Sequence, residues 1–295
     1  MGARPVRTRP AGRCARWGTC SHERSNVQAT DYLLSACREA GVTRFIFTSS
    51  PSVTQTDEGC EGADESAPIP EEHRTFYQAS KALSEKRVLE AYCESLRTVA
   101  LRPRLVWGPG DRHLIPRLVD RARRGRLRLV GGGNCLVDSC YIDNVVDAHI
   151  LAADALDQIP SPCVGKAYFI SNGEPRPMGV LINQLLEACD APQVDASISP
   201  ALAFRLGAGL EHVWRVFKLK GEPPMTRFLA RQLSTPNWYD IGAAQRDLNY
   251  EPRISLDEGL KRNTVLQGYR NGYRELVEHG PPRRTLFGGH KDNLA

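Results

Sequence analysis

The stretch that decides the fold reads RFIFTSS and occupies residues 44–50. Aromatic and β-branched side chains dominate its first five positions, which is typical of a short strand buried in a parallel sheet. An apolar stripe with helical spacing precedes it, with Asn26 as a candidate N-cap and Gly41 as the C-cap. A second helical run follows it, beyond a predicted loop at 54–73. Helix, strand and helix in succession indicate an α/β fold with a parallel sheet.

The alternation of strands and helices continues along the chain. Further strands are predicted at 98–101, 127–130 and 166–170, with helices at about 113–124 and 144–156. The last third is predicted to be mostly helical, with segments at 178–189, 200–218, 225–233, 241–248 and 255–272. The predicted parts are a disordered or adventitious N-terminus at 1–25, a partial Rossmann-type catalytic domain at 26–172, a mainly helical substrate-binding subdomain at 173–273, and a flexible tail at 274–295.

The composition is ordinary for a globular protein of 295 residues, with 41% hydrophobic side chains and a formal net charge of +5. Its nine cysteines lack C-x-x-C spacing, which indicates reduced thiols in a cytoplasm rather than disulfides. The histidines lack zinc spacing, so no metal site is predicted. No apolar run approaches ~18 residues, so no membrane span is expected. No basic–aromatic motif predicts nucleic-acid binding.

A second stretch, YQASK at 77–81, carries the candidate chemistry. It begins a run of good helix formers, and positions i and i+4 of a helix lie on one face. Tyr77 and Lys81 therefore point the same way, and a lysine cation beside a phenol favours the phenolate. Such a tyrosine can give a proton to a carbonyl oxygen or take one from a hydroxyl. The spacing also arises by chance on surface helices, so its surroundings decide its meaning.

The order of these signatures resembles the extended short-chain dehydrogenase/reductases over roughly residues 26–270. The matching signatures are the helix that begins at Asn26, the strand ending in TSS at 48–50, the YQASK helix, LRP at 101–103, WGPGD at 107–111 and YIDN at 141–144. Within that family, residues 99–111, 166–177 and 221–228 are similar to the bacterial 2-alkyl-3-oxoalkanoate reductases of long-chain olefin biosynthesis. The 3β-hydroxysteroid dehydrogenases are more distant relatives.

The resemblance implies a role for each matching residue. Tyr77 would donate the proton to the ketone, Lys81 would hold the nicotinamide ribose, and Ser50 would stabilise charge on the substrate oxygen. Ser49 competes with Ser50 for that role, and a strand-end serine can also simply cap a turn. The implied cofactor is NADP, with NAD as the alternative, and the implied cofactor-binding residues are Asn26, Ser49, Tyr77, Lys81, Pro103, Leu105 and Val106.

The sequence departs from this family at its beginning. The family opens with a strand and a G-x-x-G-x-x-G loop that places the dinucleotide pyrophosphate on a helix N-terminus. No such loop occurs here, and only 25 residues precede Asn26, whereas one βαβ unit needs ~30 residues. We therefore expect the family's first four strands to be absent. The edge of the strand at 44–48 would then be exposed, and residues 1–295 would bind NADPH weakly.

Three functions remain open from the sequence. The first is NADP(H)-dependent reduction of the 3-oxo group of a lipid-like 2-alkyl-3-oxoalkanoate by the Ser-Tyr-Lys mechanism. The second is 3β-hydroxysteroid oxidation or nucleotide-sugar epimerisation, and the third is a truncated, catalytically silent chain. The long helical C-terminal third favours a lipid and predicts a mainly apolar cleft around 221–228. The expected partners are a lipid-like small molecule and either a second copy of the chain or other enzymes of a pathway.

Overall fold

The computed structural model describes residues 22–56, 58–219 and 223–262. Most of the segment at 1–25, the tail at 274–295 and the end of the helix predicted at 255–272 lie outside the described residues. Helices and mainly parallel strands confirm the predicted α/β fold. Within these ranges no helix is long and apolar enough to cross a membrane.

Short strands alternate with helices along the chain. The strands are β1 (Arg44–Thr48), β2 (Cys60–Ala63), β3 (Arg97–Pro103), β4 (Val106–Trp107), β5 (Leu129–Val130), β6 (Leu136–Val137), β7 (Cys140–Tyr141), β8 (Ala167–Ile170), β9 (Arg176–Pro177), β10 (Ser197–Ile198) and β11 (Asn237–Tyr239). After a π-helical turn at Glu23–Gln28, the α-helices are α1 (Ala29–Glu39), α2 (Phe76–Glu90), α3 (Leu114–Arg123), α4 (Ile142–Asp157), α5 (Met178–Glu187), α6 (Pro200–Val216), α7 (Arg227–Gln232), α8 (Gly242–Leu248) and α9 (Leu256–Lys261).

The central sheet has three parallel strands in the order β1–β3–β8. Its register pairs Ile46 with Val99 and Leu101 with Tyr168. Because side chains alternate along a strand, Val99 and Leu101 share one face of β3, where they pack with helix α4. Arg102 lies on the opposite face and reaches helix α2. The middle strand is therefore covered on both faces, as a parallel sheet requires.

Strand β1 is the outer strand of this sheet in the described part of the chain, where it pairs only with β3. Phe45, Ile46 and Phe47 are only half-buried, although their composition suits a buried strand. The expectation of an exposed apolar edge is thus confirmed for these residues. Such an edge is a template for pairing with another strand.

The structure also contains a second sheet, for which the sequence carries no signal. It joins four short strands in the order β2–β11–β6–β9, with β9 antiparallel to β6. The predicted loop at 54–73 is therefore wrong in part, because β2 lies within it. Strands of two to four residues are too short to show periodicity. They form only because distant parts of the chain supply their hydrogen-bonding partners.

Candidate active site

Helix α2 begins with a complete capping box, and this fixes where the tyrosine and lysine lie. The Thr75 hydroxyl accepts the backbone N–H of Gln78 at 3.2 Å, and the Gln78 carboxamide accepts the N–H of Thr75 at 3.2 Å. Gln78 also donates to the carbonyl of Ser52 at 3.2 Å. The first turn of α2 is thereby tied to the segment that follows β1.

Lys81 lies over the end of β1. Its Nζ donates to the carbonyl oxygen of Thr48 at 2.8 Å and lies 4.9 Å from the centre of the Phe47 ring. Burial lowers the pKa of Lys81, and the charge of Glu85 opposes that shift. Tyr77, one turn earlier, keeps 40% of its surface exposed. This tyrosine therefore has surface that a ligand can reach.

The two serines after β1 have different surroundings. Ser50 caps the 3₁₀ turn at Pro51–Val53: its Oγ accepts the N–H of Ser52 at 3.3 Å. The same Oγ lies 3.0 Å from the Ser52 Oγ, where either hydroxyl can be the donor. Ser49 is buried, and its Oγ has no hydrogen-bond partner among the described residues. Both serines therefore lie at the strand end that Lys81 contacts through Thr48.

Asn26 does not cap a helix, so that prediction is wrong. It lies inside the π-helical turn that runs into α1, and its Nδ2 donates to the Ser80 hydroxyl at 2.9 Å. Ser80 lies on α2 between Tyr77 and Lys81. The contact links α2 to a segment 54 positions earlier in the sequence. Asn26 is thus close to the candidate site and helps to position its helix.

Pro103, Leu105 and Val106 lie at the carboxyl end of β3, the strand next to β1. Pro103 pairs with Ile170, and Leu105 has a positive φ of 37°. The Leu105 carbonyl accepts the N–H of Cys140 at 3.3 Å, and Val106 pairs with the same cysteine. In open parallel sheets ligands bind at the carboxyl ends of the strands. The fold therefore brings this loop to the same edge as the serines.

Sequence reasoning missed a buried polar cluster beside this edge. Asp138 is fully buried, and its Oδ2 accepts the N–H of Tyr239 at 2.8 Å. Its Oδ1 and the Nε of Arg104 are buried without a hydrogen-bond partner in the described chain. Burial raises the pKa of Asp138 to about 6. No sequence signal identifies this aspartate, since it has no motif of its own.

A cleft bordered by α7 has mixed walls. Of the described residues among 221–228 only Phe228 lines it, together with amide side chains such as Gln55 and Asn237 and the guanidinium groups of Arg74 and Arg231. Met225 packs instead against an apolar cluster that includes Ala203 and Ala230. The mainly apolar cleft predicted around 221–228 therefore stays a prediction.

The donors at the strand edge fit the nicotinamide end of a dinucleotide. Lys81 offers an ammonium group, and Ser49 offers a buried hydroxyl that the described residues leave without a partner. Ribose hydroxyls and a carboxamide are groups that such donors satisfy. Asn26 contacts Ser80 on α2, and Pro103 and Leu105 lie at the carboxyl end of the strand next to β1; their contact with a cofactor stays a prediction. The described residues form no group of three or more metal-ligand side chains.

Comparison with known proteins identifies the family. The 3-beta hydroxysteroid dehydrogenase/isomerase family matches residues 17–199. The chain is 54% identical to 2-alkyl-3-oxoalkanoate reductase from Stenotrophomonas maltophilia over 83% of this chain and 75% of that protein. It is 44% identical to the reductase of the same name from Shewanella oneidensis, over 80% of this chain and 63% of that protein. It therefore spans less than two thirds of the length of this second relative.

More distant similarities support the same assignment. A sterol-4-alpha-carboxylate 3-dehydrogenase (decarboxylating) from Schizosaccharomyces pombe is 35% identical over 80% of this chain and 70% of that protein. The structure of MoeE5 in complex with UDP-glucose and NAD aligns with a TM-score of 0.60 at 26% identity, covering 85% of this chain and 73% of that one. This chain belongs to the 3-beta hydroxysteroid dehydrogenase/isomerase family and is an NAD(P)-dependent oxidoreductase with the fold of the extended short-chain dehydrogenases.

Proposed function

We propose that this chain reduces the 3-oxo group of a 2-alkyl-3-oxoalkanoate with NADPH. The observation that carries the proposal is the bond from Lys81 to the Thr48 carbonyl at the carboxyl end of β1, with Ser50 two residues after that carbonyl and Tyr77 one turn before Lys81 on α2. The identity to two reductases of that name supports the substrate class. NADH is the alternative cofactor. The cytoplasm is the proposed location, since the described cysteines are free thiols.

The reaction adds a hydride and a proton to the ketone. A reduced nicotinamide, when bound, would supply the hydride to the carbonyl carbon. As negative charge develops on the carbonyl oxygen, Tyr77 donates its phenolic proton to that atom. Ser50 donates a hydrogen bond to the same oxygen and so stabilises the charge in the transition state. The product is a 2-alkyl-3-hydroxyalkanoate, and the proton lost by Tyr77 is replaced from water.

Lys81 has two parts in this mechanism. Its charge stabilises the phenolate that Tyr77 leaves behind, and its remaining N–H groups bind ribose hydroxyls. The bond to the Thr48 carbonyl holds the ammonium group at the strand end. Because burial already lowers the pKa of Lys81, a nearby anion would be favourable for its charged form. The lysine is thus suited to a site where negative charge appears transiently.

A second candidate is oxidation of the 3-hydroxyl group of a sterol that carries a carboxylate on the neighbouring carbon. The observation in its favour is the 35% identity to a sterol-4-alpha-carboxylate 3-dehydrogenase. Its name places a carboxylate on the carbon next to the one that is oxidised. A 2-alkyl-3-oxoalkanoate has the same arrangement of carboxylate and oxygen. The two candidates therefore differ in the carbon skeleton of the substrate and in the direction of the redox reaction. They share a carboxylate on the carbon next to the one that reacts.

Turnover of a 2-alkyl-3-oxoalkanoate, measured with NADPH and with NADH, tests the proposal. Tyr77→Phe removes the proton donor with little change in packing, so it should lower kcat by ~10²–10⁴. Tyr92→Phe is the matched control, because Tyr92 is also exposed but lies beyond the end of α2. Wild-type turnover by Tyr77→Phe would remove Tyr77 from the mechanism. Turnover of a 4-carboxysterol in place of the oxo acid would favour the second candidate.

A further inference from the structure

Helix α6 exposes a row of large apolar side chains to solvent. We call this row the α6 stripe, and its members are Leu202, Leu206, Val213, Val216 and Phe217. Leu206 follows Leu202 by four residues and Val213 follows Leu206 by seven, which are the spacings of one helix side. Phe217, the C-cap residue, is 69% exposed and continues the row four residues after Val213. The stripe therefore runs the length of the helix.

Another side of α6 is fixed against helix α7. Gly207 is buried there, and a β-carbon at this position would lie 2.6 Å from the backbone carbon of Thr226 and 2.7 Å from the nitrogen of Arg227. Only glycine permits so close an approach of two backbones. One turn later, Glu211 forms an ion pair with Arg227 at 2.8 Å. The helix therefore cannot turn its stripe inward without breaking these contacts.

The charges beside the stripe are positive. The exposed basic residues of α6 and the segment just after it are Arg205, His212, Arg215 and Lys218. The arginine and lysine side chains among them form no ion pair with another described residue. Arg205 borders the stripe, because it follows Leu202 by three residues on the helix. Glu211 is the single acidic residue in the segment 200–219, and its carboxylate pairs with Arg227.

We propose that α6 lies on the surface of a lipid bilayer with anionic headgroups and inserts its stripe among the outer parts of the acyl chains. An amphipathic helix with basic residues beside its apolar side lies in the plane of such an interface. The side chains of Arg205 and Lys218 can place their charges among lipid phosphates while their aliphatic stems stay against the apolar region. This mode of binding needs no helix that crosses the membrane.

A second copy of the chain is the competing occupant of the stripe. Two stripes packed face to face around a twofold axis would bring the same residues of both copies together. The cations beside each stripe would then meet cations of the other copy, and like charges in an interface are unfavourable. An anionic bilayer covers the same apolar surface and also neutralises the cations. The charge pattern therefore favours lipid over self-association.

The inference rests on helix α6 alone and does not depend on the proposed reduction of a 3-oxo acid. Flotation of the whole chain with vesicles tests it, using phosphatidylcholine alone and phosphatidylcholine with about 30% phosphatidylglycerol as an anionic lipid. Wild type should bind the anionic vesicles more tightly than the neutral ones. Added salt should reduce that preference because it screens the attraction between charges.

Two kinds of variant separate the apolar and the charged contributions. Leu206→Gln and Phe217→Gln should each lower affinity for anionic vesicles by about threefold to tenfold, as expected when a half-exposed apolar side chain no longer leaves water. Arg205→Gln should lower that affinity about fivefold and leave affinity for neutral vesicles nearly unchanged. Circular dichroism should show wild-type helix content for all three, since the replaced side chains are exposed.

Leu33→Gln is the matched control, because Leu33 is 56% exposed on α1 and its replacement should leave vesicle binding unchanged. Amide hydrogen exchange should slow in the segment 200–219 when anionic vesicles are added. No flotation of wild type, or equal binding by wild type and Phe217→Gln, would overturn the proposal. A chain that is dimeric without vesicles and becomes monomeric in Phe217→Gln would also overturn it, by assigning the stripe to a second copy.

Discussion

Tyr77, Lys81 and Glu85 follow one another at intervals of four residues along helix α2, and the two ends of this row have opposite properties. At the first end Tyr77 is 40% exposed, and Lys81 has one hydrogen bond in the described structure, to the Thr48 carbonyl. At the far end Glu85 is fully buried and forms a two-pronged ion pair with Arg102, through Nε at 3.0 Å and Nη2 at 2.5 Å. The first end keeps its polar atoms available to a ligand. The far end uses its polar atoms to fix the helix on the sheet.

The comparison shows how a site can be both open and well positioned. Side chains that must react need hydrogen-bonding groups that are not already paired within the protein. Other contacts must therefore hold these side chains in position. Here it comes from the buried Glu85–Arg102 pair, the capping box at Thr75 and the bond from Gln78 to Ser52. We expect substitutions at the buried Glu85 to lower stability, and substitutions at Tyr77 or Lys81 to lower activity.

The largest effect on stability is expected for Glu85→Ala. It leaves the Arg102 charge buried without its partner, which should lower the free energy of unfolding by about 3–5 kcal/mol. Tyr77→Phe, at the exposed first turn of the helix, should change the free energy of unfolding by less than about 0.5 kcal/mol. Urea denaturation of both variants measures the difference. In the control, Glu85→Leu combined with Arg102→Met removes both charges and should be more stable than Glu85→Ala; equal losses would show that the ion pair is not what fixes the helix.

The next effect concerns a buried carboxylate that, unlike Glu85, has no ion pair in the described structure. Burial raises the pKa of Asp138 to about 6, above the ~3.9 of an unfolded chain. Folding therefore takes up a proton between these values, and this aspartate lowers stability as the pH rises from ~4 to ~6, by up to about 3 kcal/mol. Asp138→Asn should remove that loss.

Thermal denaturation of wild type and Asp138→Asn at pH 4, 5, 6 and 7 measures this effect. The two proteins should differ little at pH 4 and most at pH 7, with the variant the more stable. Asp154→Asn, at an exposed position of α4, is the matched control and should follow wild type at each pH. A constant difference between wild type and Asp138→Asn across the series would contradict the raised pKa of this group.

A smaller effect is expected at the N-cap of α2, two residues before Tyr77. Thr75→Ala removes the N-cap hydroxyl and should lower the free energy of unfolding by about 1 kcal/mol. Because the same turn positions Tyr77, turnover should fall as well. Thr75→Ser keeps the hydroxyl and should restore both properties. If stability fell without any change in kcat, the cap would not contribute to the position of the tyrosine.

The smallest effect on stability is expected for Lys81→Met. The lost bond to Thr48 and the lost contact with Phe47 are offset by removal of a partly buried charge, so the change should stay within about 0.5 kcal/mol. Affinity for the nicotinamide cofactor and turnover should both fall, because the ribose loses its ammonium donor. Calorimetric titration of NADPH and of NADH into both proteins checks this. A large loss of stability with full cofactor affinity would make Lys81 a structural residue.

The sequence by itself determined the elements whose signals are local. Residues 44–48 form a strand because their aromatic and β-branched side chains suit a pleated, partly buried surface, and residues 76–90 form a helix because good helix formers follow a capping box. The spacing of Tyr77 and Lys81 is enough to place both side chains on one face of that helix, since four residues make about one turn. The ordered signatures around them identify the family.

The tertiary structure alone decided where distant residues meet. Gln55 and Asn237 are 182 positions apart, and their hydrogen bond forms the floor of a cleft that no local pattern predicts. The neighbours of Asn26 in the sequence favour a cap, whereas its partner is Ser80 on another helix. The burial of Asp138 likewise depends on strands β6 and β11, which have two and three residues. Strands this short pair only when the chain has folded. Hydrophobic periodicity depends only on the residues that are close along the chain. The burial of a charge and the shape of a cleft depend instead on residues that are close in space.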